Sequence, residues 1–174
     1  FVQRHKELAE PGYFLGGNRV LLSSDATNRV LLEHGSVHAW TWWQWVASWG
    51  RRDVNRLLPL LTLPEGAFRK WAADQWEGIK TCNLSLRRSD FMRVNGFDES
   101  YEGWGLEDSD LVIRLLRAGV KHKTARYAAP VFHLWHREHD RSGLDTNRQR
   151  LDRLVQSRHI RAALGLDQHL PGVA

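Results

Sequence analysis

From Asn95 to Leu111 the chain reads Asn-Gly-Phe-Asp-Glu-Ser-Tyr-Glu-Gly-Trp-Gly-Leu-Glu-Asp-Ser-Asp-Leu. This turn runs directly into a segment in which Leu111, Val112, Leu115 and Leu116 share one stripe, the period of an amphipathic helix. Gly119 is its stop signal. Such a helix, predicted over Glu107 to Ala118, must lie with its stripe on a core and point its N-terminus outward. Three carboxylates, Glu107, Asp108 and Asp110, then sit in its first turn. The simplest reading is capping, with Asp108 as N-cap and Glu107 beside it, each worth ~0.3–1 kcal/mol as an anion at a helix start.

Capping accounts for one acid, and adjacent acids repel. Glycines on both sides of Trp104 let the backbone approach a ligand closely. The Trp104 ring offers an apolar face on which a sugar can stack. Asp108-Ser-Asp110 is not read as a metal-binding D-x-D. Two residues apart on a helix, the side chains point to roughly opposite faces. Asp110 is expected to be solvated or salt-bridged.

The rest of the chain alternates strand and helix signals. An opening helix over Phe1 to Ala9 ends at Pro11-Gly12, followed by a strand from Tyr13 to Leu22 broken at Gly16-Gly17. Ser24 or Asp25 caps a helix to about His34, and Ser36 caps a tryptophan-rich helix to Gly50 that continues toward Pro59. A further helix starts at Pro64-Glu65 and ends near Gly78. Ile79 to Leu86 reads as a strand, with Cys82 packed beside Asn83, and a short helix over Phe91 to Val94 closes at Asn95-Gly96. Two strands follow, Val120 to Tyr127 and Val131 to Trp135, and then an arginine-rich helical tail from Glu138 to Ala163 with loose last residues.

Bulk properties exclude several classes. The 174 residues suffice for one domain with a real core. A single cysteine rules out an internal disulfide and fits a reducing compartment. There is no apolar run of roughly 18–20 residues. The net charge of +5 suits an anionic partner. Nucleic acid is not expected, because the tail arginines are interspersed with Asp140, Asp145 and Asp152 and no recognition motif accompanies them.

Thr81-Cys-Asn-Leu-Ser-Leu-Arg-Arg88, Val94-Asn-Gly-Phe-Asp-Glu99, Gly103-Trp-Gly105, Glu107-Asp108 and Arg114-Leu-Leu-Arg-Ala-Gly119 resemble the C-terminal half of GT-A glycosyltransferases. The types resembled are bacterial family 2 enzymes and the galactosyltransferase C-terminal domain, densely from about Ile79 to His136. The resemblance implies an α/β fold, the C-terminal part of a Rossmann-like GT-A domain with a mixed sheet and added helices. It divides the chain into a middle segment with a tryptophan-rich insertion (1–78), an acceptor and catalytic region (79–140) and a basic helical tail (141–174).

By resemblance, Asp108 is the catalytic base, Glu107, Trp104 and Gly105 hold the acceptor sugar, and Asn83 lies at the sugar cleft. His136 falls where galactosyltransferase-type members ligate a divalent metal, Mn²⁺ or Mg²⁺. On one strand His133 and His136 would face opposite sides, so only one reaches the site; His133 is read as structural. The implied reaction is inverting transfer of a hexose from a nucleotide-diphosphate sugar, such as a UDP-sugar, to a saccharide or lipid-linked acceptor. The nucleotide-binding half and its D-x-D strand are expected before Phe1, and a chain without them is expected to be inactive alone. The implied location is cytoplasmic, with peripheral contact at the inner membrane face.

Trp42, Trp45 and Trp49 share one helix face and Trp40 and Trp43 another. A helix aromatic nearly all round reads first as buried, and otherwise as a sugar platform or a membrane contact helped by Arg51-Arg52 and Leu57 to Leu63. A non-catalytic carbohydrate-binding or membrane-surface module derived from the same fold is the competing reading of the whole chain.

Overall fold

The computed structural model describes residues 1–33, 35–137 and 140–170, and the backbone alone of Pro59. The expected helix end at His34, the start of the tail at Glu138 and the last residues 171–174 lie outside the described residues. Two parallel strand pairs organise the rest. β1 (Tyr13–Gly16) pairs in parallel with β4 (Lys121–Thr124) and antiparallel with β3 (Leu84–Ser85), giving the order β3-β1-β4. β2 (Arg19–Leu21) pairs in parallel with β5 (Val131–His133). β2 resumes after β1, and β5 after β4, beyond a shared break at 17–18 and 125–130. The result is a mixed α/β fold with a mixed sheet.

The break is held by one side chain. Asn83 donates from its amide nitrogen to Asn18 O at 2.6 Å and Ala129 O at 2.7 Å, one carbonyl from each interrupted strand. Its Oδ1 faces His5 Nε2 at 3.0 Å on α1 (Val2–Leu8), and His5 Nδ1 lies 2.7 Å from Ser85 Oγ. Since Oδ1 only accepts, His5 must donate from Nε2, and its Nδ1 accepts the Ser85 hydroxyl. Gly17 makes this possible, because a Cβ there would run into the Asn83 carboxamide.

Two cores flank the strands. α5 (Glu107–Arg117) lays Leu111, Val112 and Leu115 on Phe14, Ile79, Val94 and Val120, as its stripe requires. Under it Asp110 and Arg114, both buried, form an ion pair at 2.5 Å, and Arg114 also donates to Val94 O and Gly96 O. Burial pushes the Asp110 carboxyl up against the opposing pull of Arg114. Asp110 is therefore salt-bridged as expected, and not solvated.

The second core joins Val20 and Leu22 to Ala26 on α2 (Ser24–Leu32) and Trp45 on α3 (Trp42–Gly50), with Phe132 stacked on Trp45 at 5.1 Å. α4 (Arg88–Arg93) precedes the Asn95 turn, and α6 (Leu144–Gln156) packs on α5. No helix among the described residues is long and apolar enough to cross a membrane.

Several expected elements are corrected. The caps shift by local chemistry: Ser23, not Ser24 or Asp25, accepts from Ala26 N, and Thr41, not Ser36, closes a capping box with Gln44 on α3. Ser36 precedes only a 3-10 turn, Val37–Ala39, and its side chain makes no capping bond there. The helix does not continue past Gly50, because Arg52 takes a left-handed φ of 62° and the chain turns back to bridge Val54 with Leu22. Pro64 to Gly78 forms one 3-10 turn, Ala67–Lys70, around the buried Arg69, whose guanidinium donates to four backbone carbonyls. These contacts override the local helix signal. Thr81–Asn83 is a 3-10 turn rather than strand, and Cys82 is exposed rather than packed.

Two outcomes follow for stability. Arg114→Ala strands Asp110 as an uncompensated buried charge and should cost about 3–5 kcal/mol in urea unfolding. His5, His122 and His133 are all pushed below the ordinary 6.5, by burial first. They stay neutral in the fold while the unfolded chain takes up protons. Stability should be whole above about pH 6.5 and fall as pH drops further, and His5→Gln should flatten part of that slope in unfolding titrations.

Candidate active site

The acidic turn is built from backbone that only a supported loop can hold. Gly103, Gly105 and Leu106 all have positive φ, at 73°, 100° and 80°. The value at Gly105 lies beyond the left-handed well open to other residues. Leu106 is the N-cap of α5 and offers no side-chain cap, so Asp108 does not cap the helix. Asn147, buried on α6, compensates by donating to Glu102 O at 3.0 Å and Gly105 O at 3.1 Å.

With capping removed as its task, Asp108 faces elsewhere. Its Oδ1 accepts from the Thr81 backbone N–H at 3.2 Å and, by a very short contact, from the Thr81 hydroxyl. Its Oδ2 carries the ion pair with Lys80 at 4.0 Å. Asp108 and Asp110 thus point to different neighbours, Thr81 on one side and Arg114 on the other, and share no ion. Glu107, half-buried, is the first residue of the helix.

Trp104 leads from the turn into a cavity of about 280 Å³. Its walls are Arg19, Leu21, Leu22, Trp104, His133, Trp135, His136 and Arg141. Arg141 stacks its guanidinium on the Trp104 ring at 4.4 Å. The backbone N–H of Trp135 donates to Thr27 Oγ1 at 2.8 Å. The two histidine rings meet edge to face at 5.1 Å. Burial first, then Arg19 and His136, hold the His133 imidazole below its usual range. The wall is aromatic and basic, and none of its residues carries a carboxylate.

The expected site residues are thus distributed. Trp104 and His136 line one cavity, with Gly105, Glu107 and Asp108 following Trp104 along the chain into α5. Asn83 does not join them. Its side chain is only 1% exposed, and the clip across the strand break occupies its amide. His133 is corrected: it lines the same cavity as His136, because β5 ends at His133 and strand alternation no longer governs His136. Arg19, Trp135, Arg141 and Asn147 carry no motif and are brought in by the fold alone; Thr81 lay inside a motif with no part assigned to it.

Among the described residues, no three of His, Cys, Asp and Glu gather as a metal shell. The cavity offers two imidazoles, whereas Mn²⁺ and Mg²⁺ prefer oxygen ligands. These residues fit a nitrogen contribution to a metal and do not make a centre by themselves.

The sequence profile described as the N-terminal domain of galactosyltransferase matches residues 67–139. The resemblance above set the same stretch with the C-terminal domain; enzyme type agrees, and the profile's description names the other end. Validoxylamine A glucosyltransferase of Streptomyces hygroscopicus subsp. jinggangensis (strain 5008) is 45% identical over 51 residues, 29% of this chain and 12% of that protein. Rhamnosyltransferase WbbL of Escherichia coli (strain K12) is 46% identical over 56 residues, 32% of this chain and 19% of that protein. Human chondroitin sulfate synthase 3 is 33% identical over 66 residues, 38% of this chain and 7% of that protein. The matched stretches are thus a fifth or less of each relative's length. No solved structure matches the chain significantly.

Asn147→Ala should cost about 1–3 kcal/mol, since it leaves the carbonyls of Glu102 and Gly105 without partners. Amide exchange should speed locally across 102–106 before global unfolding sets in.

Proposed function

We propose, from the premise that this chain carries a GT-A-like glycosyltransferase domain, that it transfers a hexose with inversion. The donor would be a nucleotide-diphosphate sugar and the acceptor a hydroxyl of a saccharide or lipid-linked molecule. One observation carries the reading. A single turn delivers Trp104 into an aromatic, basic cavity and, three residues on, starts a helix whose second residue, Asp108, is hydrogen-bonded through Oδ1 and meets Lys80 through Oδ2 only at 4.0 Å.

In this scheme the acceptor ring lies on Trp104, with Glu107 accepting from its hydroxyls. Asp108 takes the attacking hydroxyl's proton through Oδ2, while Thr81 fixes the carboxylate's orientation through Oδ1. Arg19 and Arg141 set positive charge where a diphosphate leaving group develops negative charge. A divalent Mn²⁺ or Mg²⁺ would add Lewis-acid neutralisation of that diphosphate, with His136 as a nitrogen ligand. The competing reading is a saccharide-binding module without catalysis, in which the bonds from Thr81 to Asp108 serve only to hold the helix start.

Asp108→Asn should lower kcat by about 10²–10⁴-fold and leave the acceptor's Kd unchanged, whereas Trp104→Ala should weaken acceptor binding. Turnover preserved in Asp108→Asn defeats the base assignment. Saccharide binding with no turnover by any form of the protein would favour the binding module.

A further inference from the structure

Three tryptophans of α3 stand in solvent. The helix buries Trp45 and Ser48 and turns Trp42, Trp43 and Trp49 outward, at 50%, 78% and 54% exposure. The expectation of a helix buried all round is corrected, since one face alone packs on the core. Trp42 and Trp49 are two turns apart and lie on one line, with Trp43 about 100° round the axis. From Trp42 to Gly50 the helix carries no Asp, Glu, Lys or Arg. Soluble surfaces seldom present so large an uncharged aromatic face without a partner.

The neighbouring charges indicate what covers it. Arg52 lies two residues past the helix end and Arg56 four residues further on; both are exposed, and neither pairs with a carboxylate among the described residues. Asp53, the acid between them, is buried and neutralised by Arg29 at 2.6 Å and Arg51 at 2.9 Å. Leu58 and Leu61 are exposed on the segment whose Leu57 and Leu60 pack against the same core as Trp45. Tryptophan rings settle at headgroup depth, and arginines beside them reach lipid phosphates.

We propose that this face of α3 docks on an anionic lipid bilayer, with Trp43 at its centre and Arg52 and Arg56 on headgroup phosphates. Lipid, not a sugar, is the occupant that an uncharged aromatic face fits when two exposed arginines, unpaired among the described residues, follow its end. No residue of the cavity takes part, so the proposal stands or falls apart from the transferase reading.

The test is co-sedimentation of the full chain with vesicles of phosphatidylcholine alone and mixed with phosphatidylglycerol. Wild type should bind the mixed vesicles about tenfold or more tightly than the neutral ones. The triple variant Trp42→Ser, Trp43→Ser, Trp49→Ser should lose about tenfold or more on the mixed vesicles, and Arg52→Glu with Arg56→Glu should remove the preference for them. Circular dichroism and Tm should match wild type, because the altered side chains are exposed. Equal binding to both vesicles, no loss in the triple variant, or an equal loss in the control Trp71→Ser overturns the proposal. So does self-association in lipid-free buffer that the triple variant abolishes, since a second copy would then be the occupant.

Discussion

The carboxamide of Asn83 is the contact on which the rest of the architecture depends. Two parallel strand pairs break at the same level, and a break in a sheet leaves carbonyls without ladder partners. Asn83 takes one such carbonyl from each strand, Asn18 O and Ala129 O, while its own oxygen is held by His5. The clip continues the sheet where the ladder stops. It lets β2 and β5 leave the line of β1 and β4, carrying Arg19 and His133 to the cavity. The cost falls on Gly17, which must stay without a side chain. The peptide after Asn83 enters β3, and Thr81, two residues before it, holds Asp108. One short segment thereby sets both the sheet break and the acid.

The acidic helix is fixed from three directions. Below, Arg114 ties Asp110 to the carbonyls of Val94 and Gly96, so the helix cannot rotate without exposing a buried pair. Beside it, Thr81 orients Asp108. Behind the turn, Asn147 reaches from α6 to the carbonyls of Glu102 and Gly105. The basic tail is thus more than a solvated cover, since a buried amide on it supports the loop that presents Trp104.

What the sequence disclosed follows a physical division. Periodic signals were legible: the stripe of Leu111, Val112 and Leu115, the strand broken at Gly16-Gly17, and the two strands around Pro130 all match the structure within a few residues. Elements decided by long-range contacts were not. Pro64 to Gly78 has helix-forming composition, yet Arg69 turns inward to the carbonyls of Leu63, Pro64, Thr124 and Arg126, and a 3-10 turn results. The site divides likewise. The nearness of Trp104, Glu107 and Asp108 was legible because turn and helix start are contiguous, whereas Arg19 and Arg141 meet Trp104 only through the fold. His133 and His136 line the same cavity, against the expectation of opposite faces, because alternation does not extend past the end of the strand.

Asp108 and Asp110 show why residue type alone cannot assign a role. Both are aspartates in the first turn of one helix, two positions apart, and helical geometry sends them to different surroundings. Asp110 turns inward, where desolvation raises the cost of its charge and Arg114 must answer it within hydrogen-bonding distance. Removing either partner there is a stability problem. Asp108 turns toward Thr81 and Lys80, keeps Oδ2 outside any hydrogen bond among the described residues, and is only partly buried. A partly exposed carboxylate in that setting can meet a hydroxyl from outside the fold, and one buried like Asp110 cannot. The chemistry of the turn therefore rests on how the helix is rotated, and that rotation is set by the apolar stripe and by Arg114 beneath it.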